Sequence, residues 1–312
     1  MTGHIPPPGE HGGDGPAVAA ALGVSPGEVL DLSQSINPVA PDPALVLAAH
    51  LDAMGRYPDA TRATSALAEA MGVENDRLLL TNGGAEAIAL VATELGGWTT
   101  EPEFSLIPRG YRSGHQQRFR DDEPPRHGPR WRSNPHSPSG MLAQPDETAG
   151  VWDESFFPLA TGHWTRGDPE AVVVGSLTKL LACPGLRAGY VLADPALVDR
   201  LRRRQPNWSV NSLVTSALGD LLAPVDLPKW SAAISDLRDR LVTVLHEHGL
   251  RTRPSEANWV LVDEPGLRDR LAPAGVVVRD CASFAMHGVA RIAVPSAEGI
   301  VRLQSALRTT ER

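Results

Sequence analysis

The chain has 312 residues, with 29 Lys and Arg against 37 Asp and Glu, a formal net charge of −8. That length suits one large α/β domain or a large domain plus a small lobe, and the acidic balance argues against nucleic acid as the main partner, because phosphate backbones select basic surfaces. Hydrophobic residues at 42% exclude a wholly disordered chain, aromatics at 5% leave the core to Ala, Val and Leu, and 29 Gly with 28 Pro imply many turns.

The N-terminal stretch from Met1 to Pro8 has no basic start and no apolar run, so it does not read as a signal peptide. A compact His11-Gly-Gly-Asp-Gly turn leads to a short helix over Pro16–Leu22 and an extended Asp31–Pro38 segment. Pro41–Met54 and Thr61–Met71 read as helices separated by Gly55-Arg-Tyr-Pro. From Arg77 onward short apolar strands alternate with helices, which argues for an α/β layered fold. Arg77–Thr81 is a strand, Asn82-Gly-Gly-Ala-Glu turns into a helix reaching Leu95, and Val151–Asp153 is a strand ending on a carboxylate. Ala171–Ser176 and Arg187–Ala193 are further strands. About ten residues join these two, too few for a right-handed parallel crossover, so they are expected to be antiparallel neighbours in a mostly parallel sheet.

After Pro206 the character changes. Lys229–His248 is a long amphipathic helix, followed by strands Trp259–Val262, Gly275–Arg279 and Ala290–Val294 and a closing helix to about Arg308. The expected organisation is residues 1–50 as a segment joining the small lobe, 51–205 as the large domain and 206–312 as the small C-terminal domain. No apolar stretch approaches the roughly 20 residues of a membrane span, so neither membrane nor nucleic acid is an expected partner and the chain reads as cytoplasmic. Cys183 and Cys281 make no disulfide framework, and no Cys/His cluster suggests a metal.

Three features carry chemistry. Lys179 follows a buried strand in Ser176-Leu-Thr-Lys, where desolvation would lower its pKa and free its amine as a nucleophile, with Ser176, Thr178 and Arg187 near enough in sequence to surround a phosphate. Asn82-Gly-Gly-Ala-Glu86 opens a helix whose first amides attract an anion, and it is neither a Walker A loop nor GxGxxG. Asp153 at a strand end could keep a heterocyclic nitrogen protonated. Each alone has an ordinary structural explanation. Pyridoxal phosphate uses all three at once: a Schiff-base lysine, an acid for the ring nitrogen and an anion cradle.

With these motifs in order, the chain resembles fold-type I pyridoxal-phosphate enzymes of the aminotransferase superfamily. Within them it most resembles the threonine-phosphate decarboxylases of cobalamin biosynthesis, relatives of the histidinol-phosphate aminotransferases. Matching segments include HGG at His11, DLSQSINP, RYP at Arg56, NGGAEAI, DESF, SLTK…PGLRAGY, NWSVN at Asn207, RDCASF at Arg279 and RIAV at Arg291, spanning nearly the whole chain. The resemblance implies a fold-type I α/β transferase with one antiparallel strand and a small α/β C-terminal lobe. It implies that Lys179 forms the Schiff base and Asp153 faces the pyridine nitrogen. The backbone of Gly84, Ala85 and Glu86, with Ser176, Thr178 and Arg187, would form the phosphate cup. Tyr57 would reach the cofactor of a second subunit, hence a homodimer with shared sites. Arg279 and Arg291 would bind the substrate's anions, while His11, Gly12 and Ser35 line its end of the site. The implied substrate is a small phosphorylated amino acid.

The chain departs from the family in three places. Ser137 stands where an asparagine meets the cofactor's ring hydroxyl, and Ile107 stands where an aromatic stacks on the ring. The region between Phe104 and Asp153 is shortened, leaving a polar stretch, Arg118–Arg132, expected to pack loosely. Decarboxylation of L-threonine O-3-phosphate is the leading expectation. Transamination of a histidinol-phosphate-like amine and a non-catalytic role for a degenerate fold are the alternatives.

Overall fold

The computed structural model describes residues 4–107, 116–119 and 128–310. The N-terminal segment carries helix α1 (Gly15–Leu22), strand β1 (Leu30–Leu32) and helices α2 (Ala44–Ala48) and α3 (Thr61–Met71). Strand β2 (Leu78–Thr81), helix α4 (Gly83–Leu95) and strands β3 (Gly97–Thr100), β4 (Gln116–Phe119), β5 (Trp131–Ser133) and β6 (Val151–Asp153) follow. Helix α5 (Phe157–Thr161), strand β7 (Val172–Ser176), helix α6 (Leu177–Leu180) and strand β8 (Gly189–Leu192) lead to helices α7 (Pro195–Arg204), α8 (Ser212–Leu222) and α9 (Leu227–Glu247). The C-terminal part holds β9 (Trp259–Asp263), α10 (Leu267–Leu271), β10 (Val276–Asp280), β11 (Val289–Ala293) and α11 (Ala297–Thr310).

The five-stranded sheet has the order β2-β8-β7-β6-β5, with β8 antiparallel to both neighbours and β5, β6 and β7 parallel. The expected antiparallel pair is therefore β7 and β8. Helices cover both faces, so these strands read as continuous apolar runs while alternate side chains still serve opposite sides. Leu78, Leu80, Val173, Tyr190 and Leu192 join one core with α3 and α8, whereas Leu79, Val172, Val174 and Val191 join the other with α4 and α7.

A second sheet, β1-β10-β11-β9, forms the small lobe. The N-terminal strand β1 lies parallel to β10 with Leu32 opposite Val278, so the start of the chain completes a sheet whose other strands lie beyond residue 258. Helix α9 spans both cores, since Leu227, Trp230 and Ile234 pack with the large sheet and Leu237, Leu241 and Leu245 pack with the small one. The change of character after Pro206 thus does not coincide with a change of core. Val210, Val214, Leu218 and Leu221 belong to the large-sheet core, and the passage between cores falls inside α9.

Other differences have local causes. Pro41–Met54 is not one helix: α2 ends at Ala48 and a 3-10 turn, Leu51–Gly55, follows. At the break the His50 ring bonds Ser216 Oγ (3.0 Å) and Asp220 Oδ2 (2.8 Å) on α8. Helices α7 and α8 were not anticipated, although Asp194 and Asn211 cap them by accepting from the Leu197 and Val214 amides. Of the polar stretch expected to pack loosely, residues 120–127 lie outside the described residues. Its far end is well packed: Trp131 is buried, its Nε1 donating to the Gly96 carbonyl (2.8 Å), and Arg132 pairs with Glu147. Among the described residues no helix is long and apolar enough to cross a membrane.

Gly189 lies opposite both Thr81 and Ser176, where the first turn of α4 crosses the sheet. A Cβ there would lie 2.5 Å from the Gly83 carbonyl carbon and 2.6 Å from the Gly84 nitrogen, backbone atoms that cannot swing aside. Gly189→Ala should cost about 1–3 kcal/mol, the usual range for overpacking, seen as a lower urea midpoint. Gly185→Ala, which meets nothing within 4 Å, serves as the control and should leave the midpoint in place.

Candidate active site

Because β8 is antiparallel to β2 and β7, strands β2, β5, β6 and β7 all point one way, and Thr81, Ser133, Asp153 and Ser176 end at one sheet edge. Open α/β sheets bind ligands at such an edge, where helix N-termini and strand ends leave polar groups facing a crevice. A cavity of about 290 Å³ lies there, lined by Lys179, Asp153, Gly84, Ala85, Ser137, Ser176 and Arg187 from the large domain. His11, Gly12 and Ser35 from the N-terminal segment and Arg279 and Arg291 from the small lobe close it. Residues up to 280 positions apart in sequence thus share one wall.

At one end, Gly84 and Ala85 present the first turn of α4, a 13-residue helix whose Asn82 side chain makes no capping hydrogen bond. The Glu86 carboxylate folds back to accept from the Asn82 amide (2.7 Å), Ser209 Oγ and Gln205 Nε2, so its side chain braces the turn outside the cavity. Gly83 has φ of 77°, and a Cβ on it would sit 2.5 Å from Arg187 Nη2. Glycine therefore lets the guanidinium lie flat against the turn, leaving amides, Ser176 and Arg187 around an anion-sized space. A phosphate group fits this donor set.

Lys179 stands on α6 directly after β7. Asn37 secures this turn from the N-terminal segment, its amide donating to the Lys179 carbonyl (3.1 Å) and its Nδ2 to the Leu180 carbonyl (2.9 Å). Burial, with the positive charges of Arg187 and Arg291, brings the Lys179 ammonium down to about 8, while Asp153 acts in the opposite sense. Asp153 is buried at the end of β6 and accepts from the amide (3.0 Å) and hydroxyl (2.6 Å) of Ser155. Burial raises its pKa against these two bonds and against Lys179. A protonated ring nitrogen beside it would supply the cation that a buried carboxylate needs.

Arg279 and Arg291 face each other across β10 and β11 as a registered pair, 3% and 5% exposed, and neither is paired with a carboxylate among the described residues. Arg279 donates to the Glu10 carbonyl (2.9 Å) and lies over the Phe284 ring, while Arg291 lies over Trp259, so aromatic faces and a backbone oxygen hold them in place. Burial and Arg279 bring Arg291 down to about 9, which leaves it charged at neutral pH. The buried Ser35 Oγ and Arg279 Nε have no hydrogen-bond partner among the described residues, and both residues line the cavity. Unpaired donors of this kind call for an anionic ligand.

Thr178, expected in the phosphate cup, is placed elsewhere. Thr178 Oγ1 donates to the Ala188 carbonyl (3.3 Å) and is fully buried beneath the cradle, so it anchors β8 and does not enter the cup. Glu86, whose backbone was expected in the cup, follows Gly84 and Ala85 in the first turn of α4, and its side chain braces Asn82, as above. Tyr57, expected to serve a second subunit, is 79% exposed and stacks on Trp208, with ring centroids 4.5 Å apart, outside its own chain's cavity. Ile107 belongs to the core under α4; Phe104 and Leu106 line the cavity instead. Sequence reasoning missed Ser133, Ser155, Phe104 and Ile88, which also line it. For Ser133 and Ser155 the signal was position alone, at or just after a strand end, while Ile88 lies within α4 and Phe104 in the loop after β3.

Residues 131–307 match the family model described as aminotransferase class I and II. A threonine-phosphate decarboxylase of Salmonella typhimurium is 30% identical, with 96% of this chain and 95% of that protein aligned. A histidinol-phosphate aminotransferase of Stutzerimonas stutzeri is 25% identical over 93% of this chain and 91% of its own. Among solved structures, the histidinol-phosphate aminotransferase of Sinorhizobium meliloti, determined with pyridoxal 5'-phosphate, superposes with a TM-score of 0.79 at 17% identity, covering 95% of this chain and 94% of that one. Its fold, its cavity donors and these matches agree: the chain belongs to the class I and II aminotransferase family of fold-type I, pyridoxal-phosphate-dependent enzymes.

Proposed function

We propose that this protein decarboxylates a small phosphorylated amino acid, L-threonine O-3-phosphate or a near relative, to the amine phosphate in cobalamin biosynthesis. One observation carries the reading: two buried arginines with no carboxylate partner among the described residues line the same cavity as Lys179, which suits a substrate bearing both a carboxylate and a phosphate. A substrate with one anion, such as an amino-alcohol phosphate, would leave one guanidinium buried and uncompensated. The likeness to a threonine-phosphate decarboxylase of Salmonella typhimurium supports the same choice.

Pyridoxal phosphate, when bound, supplies an aldehyde that condenses with amines and a ring that accepts electrons from a bond to the substrate Cα. Gly84, Ala85, Ser176 and Arg187 would hold its phosphate, Asp153 its ring nitrogen and Lys179 its aldehyde carbon. Arg279 and Arg291 orient the substrate by fixing two anions, and so decide which group on Cα is positioned to leave. Lys179 is the amine available to carry a proton to or from Cα. Transamination would use the same groups with the Cα proton leaving in place of the carboxylate.

With L-threonine O-3-phosphate, the loaded protein should release carbon dioxide and an amine phosphate, identified by mass. Keto-acid formation without carbon dioxide would reassign it as an aminotransferase. Arg279→Ala and Arg291→Ala should each lower kcat/KM about 10- to 100-fold, matching the 1.5–3 kcal/mol of a charge-assisted hydrogen bond.

Cofactor uptake should also depend on pH. Lys179 is an ammonium below about 8 and a free amine above it. The rate at which the cofactor-free protein develops a visible band should therefore rise roughly tenfold per pH unit below about 8 and level off above. Lys179→Arg should abolish the band, and a protein that takes up no cofactor would support a non-catalytic role.

We further infer a homodimer with shared sites. Leu45, Met54, Tyr57 and Trp208 are large apolar side chains left 83%, 69%, 79% and 59% exposed. Sedimentation should give twice the chain mass, and Tyr57→Ala should weaken cofactor retention. A monomer that retains cofactor would refute this inference.

A further inference from the structure

A carboxyl group that the proposed chemistry does not use lies just behind the cavity wall. Glu103 is 2% exposed and accepts from the Phe104 amide (2.8 Å), the Ser133 amide (3.0 Å) and the Ser133 hydroxyl. Among the described residues no lysine or arginine pairs with it. Ser133 itself lines the cavity beside Asp153, with which it is in register on β5 and β6. Its Oγ also accepts from the amide of Ser137 (2.7 Å), another cavity residue.

The segment bearing Glu103 is locked to the loop bearing Ser137. His136 Nε2 meets the Pro102 carbonyl (2.8 Å), which can only accept, so Nε2 carries the hydrogen. Its Nδ1 then accepts from Ser139 Oγ (2.8 Å), and burial with Arg132 keeps the ring neutral. Glu103 and Ser133 are therefore held together from both sides.

A serine hydroxyl has one hydrogen and two lone pairs. The Ser137 amide occupies one lone pair of Ser133. While Glu103 is a carboxylate, the single hydroxyl hydrogen points at it, and the cavity sees an acceptor. Once Glu103 takes a proton from solvent, its own O–H fills the second lone pair and the serine hydrogen is released toward the cavity. We propose that Glu103 is a positioning residue whose proton decides whether Ser133 offers a donor or an acceptor to the cofactor or substrate bound in that cavity. The proposal rests on the cavity being the cofactor site, as read above.

The charges facing Glu103 suit this role. Asp153 on β6 adds to burial in raising the Glu103 pKa to about 7, His136 is neutral, and Arg132 on β5 is engaged by Glu147. Both states of Glu103 are then populated near neutral pH.

Infrared difference spectra test the carboxyl without any cofactor. A neutral-acid carbonyl band should grow as pH falls through about 7 and be missing in Glu103→Gln. In Ser133→Ala, which removes the hydroxyl donor to the carboxylate, its midpoint should move upward. In the cofactor-loaded protein, a step in the visible spectrum near pH 7 should be lost in both variants. Glu103→Gln, which has no proton to gain or lose, and Ser133→Ala, which has no hydroxyl to reorient, should each hold one spectrum at every pH. If Glu103→Gln does not fold, the Ser133→Ala shifts carry the same test. An absent infrared band, an unmoved midpoint in Ser133→Ala, or a visible step that persists in the variants would overturn the proposal. A protein that binds no cofactor yet shows the infrared titration and its Ser133→Ala shift would overturn the cofactor reading and leave the Glu103–Ser133 coupling standing.

Discussion

Four cationic side chains, Lys179, Arg187, Arg279 and Arg291, converge on one small cavity in a chain whose net charge is −8. Taking a charge out of water costs several kcal/mol unless something replaces the lost solvation. Here the replacement is incomplete by construction. Aromatic faces and backbone carbonyls steady the arginines, Asp153 faces the lysine, and no carboxylate neutralises Arg279 or Arg291 among the described residues. A ligand carrying negative charge completes the balance, and the site is therefore most stable when filled. The lowered pKa of Lys179 is the other consequence of the same crowding, since neighbouring cations and a dry wall favour the neutral, nucleophilic amine.

Assembling that cavity requires three parts of the chain to be held rigidly together. Asn37 ties the N-terminal segment to the turn of Lys179, and β1 ties the same segment to β10, whose Arg279 enters the site. Asn258 Nδ2 donates to the Ser35 carbonyl (3.1 Å), a third tie between the same segment and the small lobe. Helix α9, with one end in each core, spans the two lobes. The N-terminal segment thus acts as a clasp, contributing His11, Gly12 and Ser35 to the wall it helps to close. This explains why a short, Gly-rich stretch near the start of the chain bears on chemistry at residue 179.

The cavity floor shows how buried polar groups serve each other. Ser155 stabilises Asp153, Ser133 stabilises Glu103, and both serines also face the cavity. Two buried acids within electrostatic reach cannot both ionise freely, and each hydroxyl moderates the cost. Glu154, beside Asp153, is pushed up to about 7 by burial as well, but it does not line the cavity and accepts from the Arg166 amide, shoring up the strand end.

Much of this was legible in the residues themselves. Val151–Asp153 and Thr61–Met71 were bounded as they are found, because apolar alternation, helical periodicity and flanking turn residues are local signals. The lysine, the acid and the glycine-rich cradle were readable because each sits at a strand end, where a polar residue after an apolar run stands out. What tertiary structure alone decided was everything that depends on which surfaces meet. The packing of α8 on α3, the placing of Thr178 under the cradle and of Ile107 in the core, and the contact of Glu103 with Ser133 join residues on separate elements. Burial and hydrogen-bond partnership belong to pairs of surfaces, and one strand's pattern carries no record of what lies across from it.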